Sequence, residues 1–517
     1  MLTYDELTGP ERELWDAFPE GRWVDLRTGV AEEDRVDGGG GWGPERTVRA
    51  SVVAALLLGT NTGQPGVVGS LTLVGARISG RLDLAGARIE HPLWLEECWF
   101  EESVNLFGAE TRTVAIVGSR VPGLEAGSTR IEGRLDLIRS TVEANSDSVF
   151  NREVTALSLT HARVSGGIIL NRARLSAPDG WALSAGGLVT EGSVICRNGF
   201  VAHGEVRLLG AQLLGGLFMQ GARLEGAGSR GVALALDNAV VQTADFSDGF
   251  TANGTVHLRG TQITGNLTFD GAVLNGTPDG PALVAMRMQA VDFDLNLPRP
   301  PSGAVDLRGA QVSYLHENEH SWPETVELDG FVYGSIKTSG PDGERREAVG
   351  DRAAVARRME WIARSPGYSP QPYEQLASWY RKAGHDDDAR RVLLARQRHR
   401  RRTLSPAARV WGHLLDATVG YGYRPWLAGV WLLALTLLGT AAFGAGAPTP
   451  VKRGEGTPFQ PFVYTLDLLI PIGGLGQRTA WYWTDNTLQW LAYALIALGW
   501  ILTTAVIAGV TRTLQKN

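Results

Sequence analysis

From Gly69 onward, apolar residues recur in pairs with one polar residue between them. The pairs Leu71/Leu73, Leu82/Leu84, Leu93/Leu95 and Val104/Leu106 repeat every eleven positions. Inward candidates Ile78, Leu84, Ile89, Leu95, Phe100 and Leu106 alternate steps of six and five. Looser copies continue through Leu135/Leu137, Leu157/Leu159, Ile168/Leu170, Val194/Cys196, Leu217/Met219 and Leu267/Phe269 to Val326/Leu328, several spaced 21 or 22 apart. An apolar residue at i and i+2 marks a strand with one buried face, and eleven residues are too few for a helix hairpin. Gly-Ala pairs at Gly75, Gly86, Gly210 and Gly221 follow the strands, supplying corners where glycine accepts positive φ. Two elevens per coil then predict a parallel β-solenoid, stable only as a stack with capped ends. Polar residues between the pairs (Thr72, Asp83, Asn105, Asp136, Arg207, Thr268) are expected to point outward.

The pattern changes on both sides of the repeat. Residues 1–68 read as a helical cap, with helices over Thr8–Ala17 and Glu45–Leu58 joined by a flexible Gly38–Gly41 link. Residues 69–340 are the solenoid and 341–410 a helical connector with a basic segment. Within the connector, helices over Asp351–Ala363, Pro372–Ala383 and Asp386–Arg402 are expected, the last two turning at Gly384. Leu376, Ala377, Tyr380, Gly384, Ala389 and Leu393 match a single tetratricopeptide-like motif, with Arg396 at its last small position. Residues 411–517 hold two uncharged apolar runs, Trp426–Phe443 and Leu488–Val510. At 18 and 23 residues, both reach across a ~30 Å hydrocarbon core.

Charge gives these runs an orientation. The window Ala389–Arg424 carries nine arginines and one acid (Asp416), about +8, which leaves about −14 for the rest of a chain of net charge −6. A local basic segment on an acidic chain argues for a local anionic partner and against general nucleic-acid binding. Arg396, Arg398, Arg400, Arg401, Arg402 and Arg409 precede the first run, and Arg512 and Lys516 follow the second. The loop between them holds Lys452, Arg453 and Arg478. The positive-inside rule predicts a two-span cell-membrane protein with both termini cytoplasmic. The acidic first 30 residues lack an apolar core, which predicts no signal peptide. Arg396, Arg398, Arg400, Arg401 and Arg402 are the expected contacts to anionic lipid headgroups.

The Ala-x-Ile/Leu cores resemble the pentapeptide-repeat superfamily, with a five/six alternation in place of fives. The GxLxLxGAxI repeats more closely resemble an actinobacterial membrane-protein family often labelled membrane-associated oxidoreductase. Gly43–Ala50, Trp322-Pro323, Leu328–Phe331, Pro372–Ala377 and Gly420–Trp426 carry the same resemblance. It implies this architecture over nearly the whole chain, and the label implies redox activity. The residues that such chemistry needs are missing: there is no GxGxxG after a strand, no CxxC and no haem-attachment spacing. Cys98 and Cys196 are isolated and read as reduced, packed thiols. No cofactor is implied.

Three motifs spell known chemistry out of context. His316-Glu317-Asn318-Glu319-His320 fits HExxH, whose zinc ligands His316 and His320 and base Glu317 need a helix. Here it lies between strands and before Trp322-Pro323, so an exposed corner loop is expected. Thr418–Gly422 spells a potassium-filter sequence, yet precedes the first span instead of following a pore helix; a turn is expected. Phe459–Ile472 is apolar but too short to cross. With Gly473 and Gly474 behind it and Asp467 inside it, it has the layout of a pore loop or of an interfacial helix.

The sequence therefore predicts a membrane-anchored cytoplasmic scaffold without an evident catalytic site, binding an unknown protein partner on the solenoid. The alternative is an oligomeric two-span channel with a regulatory solenoid; an oxidoreductase comes third, on the family label alone.

Overall fold

The computed structural model describes residues 3–61, 67–145, 149–150, 153–226, 231–278, 280–339, 345–347, 352–424, 426–452, 457–470 and 474–514. The chain falls into two compact units, Met1–Gln375 and Leu376–Asn517.

The first unit is a parallel β-solenoid of about 11 turns. The coils are made of short strands, some of them merged across a corner, gathered along the stack into ladders of 22 and 20 strands among the described residues. One inward column runs unbroken through Leu71, Leu93, Val114, Leu135, Ile168, Val194, Leu217, Ala244, Leu267, Phe293, Leu315 and Ile336, each in register with the next. Every one of these side chains is buried, and each Val, Leu, Ile or Phe removed from water contributes roughly 1.5–3 kcal/mol. The column's spacing widens in the middle because extra residues enter several coils, as where the ladder between Arg174–Ser184 and Val201–Arg207 slips register at Trp181 and where Val232–Ala235 slips on Thr255–His257. Those insertions hide the eleven-residue period without breaking the stack.

Two columns of left-handed corners run along the stack. One column contains Gly75, Glu97, Gly118, Arg139, Arg172, Asn198, Gly221, Asp248 and Gly271. The other contains Gly86, Gly108, Ser128, His161, Gly187, Gly210, Asn238, Gly260, Arg287, Gly309 and Gly330. The four expected glycine corners are there, with φ between 62° and 68°. Most of the expected outward residues are at least partly exposed, but Asp136 is only 2% exposed, covered by Arg134 at 3.5 Å.

The N-terminal cap is built into the stack. Helix α1 (Gly9–Ala17) is capped by Thr8 and Glu11. The segment before helix α2 (Ala50–Leu57) departs from the expected helix: Thr47–Arg49 is a strand on Arg77–Ser79. Trp23–Asp25 likewise adds a rung on Thr72–Val74. Val52, Val53, Leu56 and Leu57 of α2 are buried. Gly38–Gly41 is no flexible link; it forms a 3-10 turn whose Gly39 lies where a Cβ would be 2.4 Å from Trp99.

At the other end the unit continues beyond residue 340. Helix α3 (Arg352–Ala363) closes the last coil: Trp361 stacks on Trp322 at 5.6 Å, and Arg358 pairs with Glu317 at 2.9 Å. Ser365, Gln371 and Gln375 then bind the Val326, Phe331 and Tyr333 carbonyls, groups that another coil would otherwise engage.

Helix α4 (Gln371–Lys382) carries the boundary between the units, and Gly384 (φ 81°) turns the chain into helix α5 (Asp386–Arg402). The second unit continues with α6 (Pro406–Val419), α7 (Trp426–Gly444), α8 (Pro461–Leu469), the single turn α9 (Gln477–Ala480) and α10 (Asn486–Leu514).

Candidate functional site

Helices α7 and α10 are long and apolar enough to cross a bilayer, and only 22% of either apolar stretch is buried within the protein. Leu433, Leu437, Leu438, Leu498, Ile501 and Ile507 are exposed, an arrangement that costs free energy in water and none in lipid. Trp426, Trp490 and Trp500 are exposed as well, suited to the aromatic belts at membrane interfaces.

Helix α8 packs against both α7 and α10. Gly499 of α10 makes this possible, because a Cβ there would sit 2.2 Å from the Leu469 carbonyl oxygen. Gly439 of α7 likewise faces Thr465. Tyr464 and Trp483 meet through a 3.2 Å hydrogen bond amid Phe443 and Phe459. Asp467 is buried and accepts the backbone N–H groups of Leu475 (2.7 Å) and Arg478 (2.8 Å). Its two oxygens thereby fix the chain after α8. Gly474 has open space around it; Gly473 lies outside the described residues. Of the filter-like Thr418–Gly422, Thr418 and Val419 end α6 and Gly420–Gly422 form a turn before α7, with Tyr421 left-handed at φ 54°.

The basic segment is divided. Arg398 and Arg401 both reach Asp416 of α6, at 3.0 and 3.1 Å, and Gly412 leaves room for the Arg401 stem. Burial alone would raise the Asp416 carboxyl, but the two guanidinium groups hold it below the usual carboxylate range. Arg400 and Arg402 are exposed and Arg396 is half-buried. The expected set of five lipid contacts thus contains two residues that clasp α5 to α6.

Of the HExxH residues, His320 lies at the expected exposed corner, whereas His316 and Glu317 lie in neither an α-helix nor an exposed loop. His316 and Glu317 end the strand Gln311–Glu317, and both are buried. His320 sits in a 3-10 turn capped by Asn318. His316 Nε2 lies 3.1 Å from Asp292, while Glu317 accepts from Arg358 and from the Trp322 indole. Burial pushes the Glu317 carboxyl up, with Arg358 and Trp322 opposing. Glu317 is the acidic partner of the C-terminal cap, so it is not free to act as a base. Among the described residues, no group of three or more His, Cys, Asp or Glu is placed to hold a metal ion.

Cys98 and Cys196 are free, buried thiols. Burial pushes Cys98 up to about 12 and raises Cys196 as well, so neither is a thiolate at neutral pH. An open cleft of about 650 Å³ near the N-terminal cap, lined in part by Asp25, Arg27, Asp34, Arg35, Glu97 and Arg139, has no counterpart in the sequence reading. Its charges largely answer one another: Arg27 bridges Asp25 (2.7 Å) and Glu97 (3.0 Å). The signal was hidden because those residues come from separate coils. No family model matches this chain, and neither a curated protein nor a solved structure matches it significantly.

Proposed function

We propose that this protein is a membrane-anchored scaffold: a capped β-solenoid held at a bilayer by α7 and α10, offering its faces to a protein partner. The exposed apolar flanks of those two helices, attached to a unit that buries its own apolar ladder, carry the reading. The bias of arginine toward the segment before α7 supports cytoplasmic termini, by the positive-inside rule. The GxLxLxGAxI repeats support membership of the actinobacterial repeat family. For catalysis, the described residues offer buried thiols and a carboxylate committed to an ion pair.

The channel alternative draws on α8 lying against both long helices. Asp467 argues for a structural role of that segment, since its carboxylate is occupied by backbone amides. Reconstitution of the full chain in liposomes tests both. The scaffold reading expects the protein to stay with the vesicles after alkaline carbonate treatment and to pass no ions. Release by carbonate would overturn the anchor; a conductance abolished by Asp467→Ala would favour the channel.

A further inference from the structure

The division of the basic segment has a consequence for the bilayer surface. Trp431 of α7 donates its indole N–H to the Ala417 carbonyl of α6 at 3.0 Å. Trp431 is five residues into α7, about 7–8 Å along a helix axis at 1.5 Å per residue. The polar layer of one leaflet is about 5–7 Å deep. On the membrane reading, an α7 that begins at the outer edge of that layer holds the last turn of α6 at headgroup depth. Val410 of the same helix is 70% exposed, as an apolar residue facing that layer would be.

Around the start of α6 the charge is wholly basic. Arg400 and Arg402 end α5 and are exposed. Arg409 is exposed too, and its guanidinium donates to the Arg402 and Leu404 carbonyls, which brings it to the same end of α5. The one acid of the segment, Asp416, is taken by Arg398 and Arg401, so it does not neutralise these three. Three exposed guanidinium groups beside a helix whose last turn is tied to α7 match the charge and hydrogen-bonding capacity of lipid phosphates.

We propose that Arg400 and Arg402 at the end of α5, with Arg409 of α6, form a binding surface for the phosphate groups of anionic lipids in the leaflet where α7 enters. Arg398 and Arg401 are positioning residues that clasp α5 to α6 through Asp416. The proposal rests on the membrane reading above.

The test is electron spin resonance of the full chain in phosphatidylcholine bilayers carrying spin-labelled phosphatidylglycerol or spin-labelled phosphatidylcholine. The expected result is a motionally restricted fraction for both labels, with at least about a twofold excess for phosphatidylglycerol. Arg400→Gln/Arg402→Gln/Arg409→Gln removes the excess. The charge-matched Arg381→Gln/Lys382→Gln/Arg390→Gln, placed around the α4–α5 turn, keeps it. Equal association of the two lipids with the unaltered protein, an excess that survives the first triple variant, or an equal loss in the second overturns the proposal. Absence of restricted lipid for either label would overturn the membrane reading itself.

Discussion

Nine non-glycine residues among those described hold left-handed corners of the solenoid, among them Glu97, Arg139, Arg172 and Arg287. A side chain there costs roughly 1–2 kcal/mol, partly offset in glycine by its freer unfolded chain. Arg172→Gly, at an exposed corner, should therefore raise thermal stability by about 0.5–1 kcal/mol. Asn238→Gly should change it little, since asparagine tolerates this conformation. Thermal denaturation followed by circular dichroism measures both. At the N-terminal cap, Glu11 is buried and binds Arg49 at 2.6 Å and the Thr8 amide at 2.9 Å. Burial would raise its carboxyl, yet Arg49 and the backbone amides of Thr8 and Arg49 hold it below the usual range. A lowered folded value means that stability is present above the unfolded value of about 4.3 and is lost as pH falls through the folded one. Glu11→Gln should accordingly cost about 1.5–3 kcal/mol at pH 7, with the difference from the unaltered protein fading on acidification.

Coils approach one another most closely where glycines stack. Gly133, Gly166, Gly192 and Gly215 form such a column, and a Cβ on Gly192 would lie 2.7 Å from the Gly166 backbone. Gly192→Val should destabilise the solenoid by about 2 kcal/mol or more, whereas Gly186→Ala, with its nearest neighbour at 3.8 Å, should be tolerated; urea denaturation of the two variants checks the contrast. In the second unit, Gly499→Leu should drive α8 away from α10, read as increased protease cleavage between residues 457 and 485 in detergent. Strands, corners and apolar helices were legible in the sequence because each is written in local spacing. Gly38–Gly41 was misread because its order comes from Trp99, some sixty residues away. Glu317 was misread for the same reason: burial comes from Arg358 and Trp322, and the motif that contains it says nothing of them. The Asp416 clasp, too, depends on a helix turn that places residues 398, 401 and 416 together.

Across the whole molecule, the solenoid buries its apolar residues whereas α7 and α10 leave theirs largely uncovered. The first unit closes its ends with α2 and α3 and buries an unbroken apolar column. The second leaves the apolar sides of α7 and α10 uncovered. On the function proposed above, these two helices cross a bilayer and anchor the chain there. Because Cys98 and Cys196 are buried, engineered cysteines report without background. Val451→Cys, exposed between the spans, and Arg390→Cys, exposed on α5, should be modified oppositely by a membrane-impermeant maleimide. In intact cells the first should label at once and the second only after lysis. Equal labelling of both before lysis, or recovery of both variants in the soluble fraction, would contradict the claim.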